Sequence, residues 1–170
     1  MRPAKERAKE MRAVNAAEDE MAIRSLAAAY TDAVNRRDGE AMAAVYSEDG
    51  ILHSPAAGAP LQGIGKLRKR FKRLVEVERE FLMQLTHSGV VEIDGDRATA
   101  RWWFSEIKRP TGGTFEMIFG VYQDEMVRTA VGWRFAKRTV DAPLRWELPH
   151  PPQGFGPLPA FLPLTGLPTS

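Results

Sequence analysis

The sequence predicts an α+β domain in which an antiparallel sheet curls over a long N-terminal helix, with two further helices beside it. Three observations carry this. Ile23, Leu26, Ala27, Tyr30 and Val34 recur at helical spacing between Glu18 and Arg36. Four β-rich runs with turn signals between them follow from Met83 onward. No internal repeat interrupts the order, so helices first and a strand meander after leave one sheet face to be buried on the helices.

Size and composition bound the rest. At 170 residues and 44% hydrophobic, the chain suits one domain that needs no staples. It has no cysteine, which excludes disulfides, thiol nucleophiles and cysteine-metal sites and fits a reducing compartment, so a cytoplasmic location is expected. A net charge of +2 lacks the dense basic footprint of a dedicated nucleic-acid binder. There is no apolar signal region or bilayer-length run, so no membrane partner is expected. The composition divides the chain into a charged helical extension (1–17), the domain (18–147) and a Pro-rich apolar tail (148–170).

Taken in order, the long helix ends near Asp38-Gly39, and a short helix over Glu40 to Ser47 offers Met42, Val45 and Tyr46. Glu48-Asp49-Gly50 turns the chain into a strand at Ile51 to His53, which makes His53 a candidate pocket residue. A loop rich in Pro, Gly and Ala precedes a third helix, whose core side is Ile64, Leu67, Phe71, Leu74 and Val75. Its cations from Lys66 to Arg73 read as a solvated face, with docking of an anionic partner as the other reading. Met83 to Ile107 is a hairpin folded on Asp94-Gly95, a pair suited to a tight turn. Strands over Thr114 to Val127 and Trp133 to Val140 complete the sheet. From Ala142 onward eight of the twelve prolines appear and no charged residue follows Glu147, so regular structure is not expected there. Phe155, Leu158, Phe161, Leu162, Leu164 and Leu167 imply that this tail docks, across a pocket mouth or on a partner subunit, with a flexible tail as the other reading.

The chemistry concentrates in the hairpin. Strict alternation puts Leu85, His87, Gly89, Val91 and Ile93 on one face of the first arm, and Trp102, Phe104 and Glu106 on one face of the second. A histidine and a glutamate among aromatic rings describe a dry pocket with a proton-transfer group, and equally a paired core histidine. The three histidines are too widely spaced for a zinc-type pattern, so no metal or other cofactor is expected.

The segments AIRSLAAAYTDAVNRRDGEAMAAVYSEDG, LTHSGVVEIDGDRATARWW and GVYQDEMVRTAVGWRFAKRTVD, in that order, resemble the SnoaL-like branch of the nuclear transport factor 2-like superfamily. The resemblance covers about residues 18 to 147 and implies a cone-shaped α+β barrel around a deep apolar pocket. It also implies a homodimer or homotrimer built on the outer sheet face. Lyase-type members use an Asp-His pair, and here the histidine position falls on His87 while the aspartate position falls on Asn35. A bile-acid dehydratase of the family further implies Tyr30 and Glu106 as site residues.

These residues suit a cofactor-independent lyase or isomerase acting on a hydrophobic oxygenated small molecule. His87 would be the general base, Tyr30 the donor to an enolate, and Glu106 a protonated donor to the leaving group. Asn35 would fix the tautomer of His87. His53, Trp102, Phe104 and Phe119 would line the pocket. Restoring a carboxylate with Asn35→Asp is expected to raise activity. The alternative class is a non-catalytic small-molecule-binding or assembly module of the same fold.

Overall fold

A stripe of small and apolar side chains fixes how the first helix meets the sheet. The computed structural model describes the backbone over residues 4–149 and side chains over 15–149 save Ala57, so the expected docking of the tail lies outside the described residues. Helix α1 (Ala4–Asn35) runs without a break through the boundary expected near residue 17. It buries Ile23, Leu26, Ala27, Tyr30, Ala33 and Val34. Arg37 stops it in the left-handed region at φ 59°, where the amides of Arg37 and Asp38 bond back to Val34 and Ala33. Asp38 then caps α2 (Gly39–Ala44) by accepting from the Ala41 amide at 2.9 Å. Gly39 is needed there, because a Cβ would lie 2.6 Å from the backbone nitrogen of Lys72 on α3 (Ile64–Arg73).

Helix α3 buries Leu67 and Phe71 and carries its cations outward. Four of the six are already ion-paired: Arg68 and Lys72 with Glu40, Arg70 and Arg73 with Glu78. Two carboxylates thus offset only part of the charge of six cations, and this helix face stays net positive. A wide turn at Leu74–Glu78 follows, and the Arg37 guanidinium donates to the carbonyls of Val75, Arg79 and Glu80 as the chain enters the sheet.

The sheet has six strands in the order β2-β1-β6-β5-β4-β3. The strands are β1 (Tyr46–His53), β2 (Leu61–Gln62), β3 (Arg79–Asp94), β4 (Arg97–Pro110), β5 (Phe115–Thr129) and β6 (Gly132–Leu148). Strands β3 to β6 form the expected antiparallel meander. The sheet is mixed overall, because β1 begins directly after α2 and pairs parallel to β6. It curves around α1, and its inner face closes the core with Tyr46, Trp102, Phe104, Tyr122, Met126 and Phe135.

Three local readings change. The hairpin loop is Gly95-Asp96, one residue later than expected, with Asp94 paired to Arg97 and Gly95 at φ 57°. Strand β6 does not stop before Ala142. Val121 pairs with Asp141 and Phe119 with Leu144, so Ala142 and Pro143 bulge opposite Gly120 and the proline needs no ladder amide. Strand β3 carries a bulge as well: Thr86 pairs with Phe104 but Gly89 with Trp102. The expected row through Leu85 and His87 is thereby broken, because one extra residue transfers the alternation to the other face.

Candidate functional site

The β3 bulge decides which side chains reach the interior. Upstream of it Leu82, Gln84 and Thr86 face inward, and downstream Gly89, Val91 and Ile93 do. Gln84 thus enters the core beside Glu106 on β4 and Tyr122 on β5. Together with Tyr30, Phe71 and Leu52 these residues line a cavity of about 140 Å³ under α1 and α3.

One wall is a connected polar group. The Gln84 Nε2 donates to the Tyr122 hydroxyl at 2.5 Å and to Glu106 Oε2 at 3.3 Å. The Gln84 Oε1 is buried without a partner among the described residues, so the cavity has one open acceptor. The Tyr122 ring stacks on Phe104 at 4.2 Å. Glu106 also faces Lys108 at 3.6 Å, and Lys108 faces Glu116 at 3.7 Å, which in turn pairs with Arg145. Burial holds the Lys108 ammonium below its ordinary range, with Arg79 and Arg145 adding to the effect and Glu106 and Glu116 opposing it.

Beneath the cavity lies the most buried charge of the fold. Arg138 and Asp124 form a two-pronged pair at 2.8 and 2.7 Å, with side chains 1% and 0% exposed. The guanidinium lies 4.1 Å from the Tyr122 and Phe135 rings and 4.5 Å from that of Tyr30. Burial pushes the Tyr30 phenol up to about 12 and raises Tyr46 and Tyr122 as well. All three remain protonated near neutrality, and the buried Tyr46 hydroxyl has no hydrogen-bond partner among the described residues.

The residues expected from sequence separate into two groups. Tyr30 and Glu106 meet in the cavity, and Phe104 supports Tyr122 from below. Trp102 is buried farther along β4, against Gly89, where a Cβ would come within 2.3 Å of its ring. His87 is exposed, opposite Trp103 in the bulge, and its Nε2 lies 2.9 Å from the Ser105 Oγ. Asn35 lines with His87 and Trp102 a cleft of about 450 Å³ between α1 and β3, but its amide is not bonded to the imidazole: Nδ2 donates to the Gln84 carbonyl at 2.8 Å, and Oδ1 accepts from the Gln84 amide at 2.7 Å. His53 aligns with Thr139 while its neighbour Leu52 faces the cavity. Phe119 lies on the outer sheet face against Trp146.

Sequence reasoning missed Gln84, Tyr122, Asp124, Arg138 and Lys108. A signal for one pair existed: Asp124 stands between the apolar Tyr122 and Met126 on alternating positions, and a buried acid requires a buried cation. Nothing in the alternation announces the bulge that brings Gln84 inward.

Solved structures share this architecture. A candidate aromatic ring hydroxylase from Novosphingobium aromaticivorans matches with TM-score 0.70 and 25% identity, over 77% of this chain and 94% of that one. A variant of a Mycobacterium tuberculosis protein of unknown function matches with TM-score 0.63 and 28% identity, over 72% and 74%. A hexachlorocyclohexane dehydrochlorinase matches with TM-score 0.75 at 16% identity, over 84% and 99%, and shows the shared fold alone. None of the curated proteins compared with the chain matches it significantly. The model of the SnoaL-like domain matches residues 15–139, most of the helices and sheet just described, and the chain belongs to that family.

Proposed function

We propose that the chain is a cofactor-independent lyase or isomerase that moves a proton on a small oxygenated molecule held in the interior cavity. The observation that carries this is the convergence of Glu106, Gln84 and Tyr122 on one apolar-walled cavity of about 140 Å³. A cavity of roughly 150 Å³ accommodates benzene, which favours a single-ring substrate over a fused polycyclic one.

Glu106 is the base in this reading, because its neighbours Gln84 and Lys108 are both donors and leave its carboxylate as the acceptor. It takes a proton from the carbon next to a carbonyl. The electron pair moves onto the carbonyl oxygen, where the hydroxyls of Tyr30 and Tyr122 donate to the developing charge. Returning the proton to another carbon completes an isomerisation. Departure of a β-hydroxyl, protonated by Glu106 with the proton it has just taken, completes a loss of water. The open Gln84 Oε1 accepts from a substrate hydroxyl. The dehydrochlorinase and a candidate scytalone dehydratase from Novosphingobium aromaticivorans share the fold and carry names of elimination chemistry, which supports this class.

The test uses monocyclic hydroxyketones in D2O, read by mass spectrometry for deuterium uptake and water loss. Wild type should exchange and eliminate, Glu106→Gln should fall at least 100-fold in line with loss of a general base of roughly 10²–10⁴-fold worth, and His87→Ala should match wild type. Loss of activity in His87→Ala with Glu106→Gln unaffected would return the base to the histidine. Retention of a compound unchanged by wild type would instead indicate a binding module.

A further inference from the structure

Two charged side chains line the interior cavity, and the chemistry proposed above uses one of them. Glu106 stands on the sheet wall; Arg70, from α3, stands on the helix wall. They do not pair with each other, since Glu106 meets Gln84 and Lys108. Arg70 is out of place among the cations of its helix. Lys66, Arg68, Lys69, Lys72 and Arg73 are exposed, whereas Arg70 is half-buried. It lies one turn after Leu67 and one before Leu74, and with Phe71 and Leu74 it borders the cavity. A guanidinium thus occupies the side of α3 that packs toward the sheet.

Its bonding is incomplete. The side chain is 40% exposed, yet Nη1 is buried and makes no hydrogen bond among the described residues. Glu78 Oε2 lies 3.0 Å from Nη1, close enough for an ion pair but not aligned for a hydrogen bond. Glu78 is also shared, because its Oε1 lies 3.0 Å from the Nε of Arg73. One carboxylate therefore faces two guanidiniums, and Arg70 can receive a second carboxylate while Arg73 keeps Glu78. A buried donor without a partner costs free energy that an aliphatic side chain at the same place would not, and a ligand anion offsets that cost. The net positive face of α3 outside adds a field that draws anions toward this wall.

We propose that Arg70 determines the specificity of the cavity by binding the carboxylate of a monocyclic oxo acid whose ring lies against Glu106. The inference rests on the proton-transfer reading and names its substrate class. A planar carboxylate matches the edge of a guanidinium, and it adds little bulk to a ring in a cavity of about 140 Å³, where a phosphate would crowd the ring. Arg70 also balances the negative charge that such a ligand brings near Glu106.

The test uses a cyclohexanone carboxylate and the corresponding carboxamide, which share an outline and differ in charge. Each is titrated into the full chain by calorimetry, and parallel samples in D2O are followed by NMR for exchange beside the ketone. Wild type should bind the acid at least tenfold more tightly than the amide. Arg70→Gln should weaken the acid at least tenfold while the amide, which reports an intact cavity, stays within twofold. Arg70→Lys should fall between the two, and Lys69→Gln, which alters the exposed cation next to Arg70, should match wild type. Equal binding of acid and amide by wild type overturns the proposal. So does an acid preference that survives Arg70→Gln or disappears in Lys69→Gln, and so does binding of neither compound at millimolar concentration. The proton-transfer reading fails separately: an acid held through Arg70 that does not exchange in D2O upholds the carboxylate site and removes Glu106 as the base.

Discussion

Asn35 joins the end of α1 to β3 through both ends of its amide, donating to and accepting from the backbone of Gln84. Aspartate has the same outline but lacks the Nδ2 donor, and its second oxygen would face the Gln84 carbonyl. Asn35→Asp is therefore expected to destabilise the fold by about 1–3 kcal/mol at neutral pH, measured by denaturant unfolding, without the gain in activity that the family pattern suggests. Asp124 holds a different position: it is the carboxylate bonded to the buried Arg138. Asp124→Ala strands that cation and should cost about 3–5 kcal/mol, while Asp124→Ala/Arg138→Leu should recover much of the loss. The identities of Tyr30 and Glu106 as cavity residues were legible, since both lie on apolar rows of regular elements. Gln84 was not, because it stands on the opposite parity from the row that alternation extends back to His87.

At the scale of elements, junctions carry more information than the elements they join. Arg37 occupies a left-handed position favoured by glycine, and its guanidinium bonds the carbonyls at the entry to β3. Arg37→Ala keeps the backbone strain and loses those bonds; Arg37→Gly loses the bonds but relieves the strain. Both should lower the melting temperature, the alanine variant more, by a difference of about 1 kcal/mol. Helix α1 is tied to the β5–β6 hairpin by Asp19, which accepts from Arg128 and from the Trp133 indole. The hydrogen bond from Arg128 holds the Asp19 carboxyl below its ordinary range. A lowered folded value means that the stabilisation is present above about pH 3.9, the unfolded reference, and is lost as pH falls through the folded value. Melting curves of wild type and Asp19→Asn should thus differ at pH 7 and converge at acid pH. Helix and strand types were readable from periods of 3.6 and 2. The bulges at 87–88 and 142–143 were not, since a bulge is a register event set by the partner strand.

At the scale of the molecule, the order of helices and strands was enough to give a sheet curled over α1, because few ways exist to bury one face of a four-strand meander on a preceding helix, while the cone shape came with the family resemblance. The parallel pairing of β1 with β6 lay beyond that reasoning, as both strands had to be placed before they could meet. On the proposed function the cavity acts as a size filter: cyclohexanol-sized ligands should raise the melting temperature and two-ring analogues of equal polarity should not, as read by thermal shift. The buried pair of Asp124 and Arg138 also constrains descent. Neither residue can drift alone without passing through a poorly folded protein, so mutational paths that change one must change the other nearly at once. Lineages of this fold should keep the pair whole or replace both members, and an ancestor holding only one of them would have been short-lived.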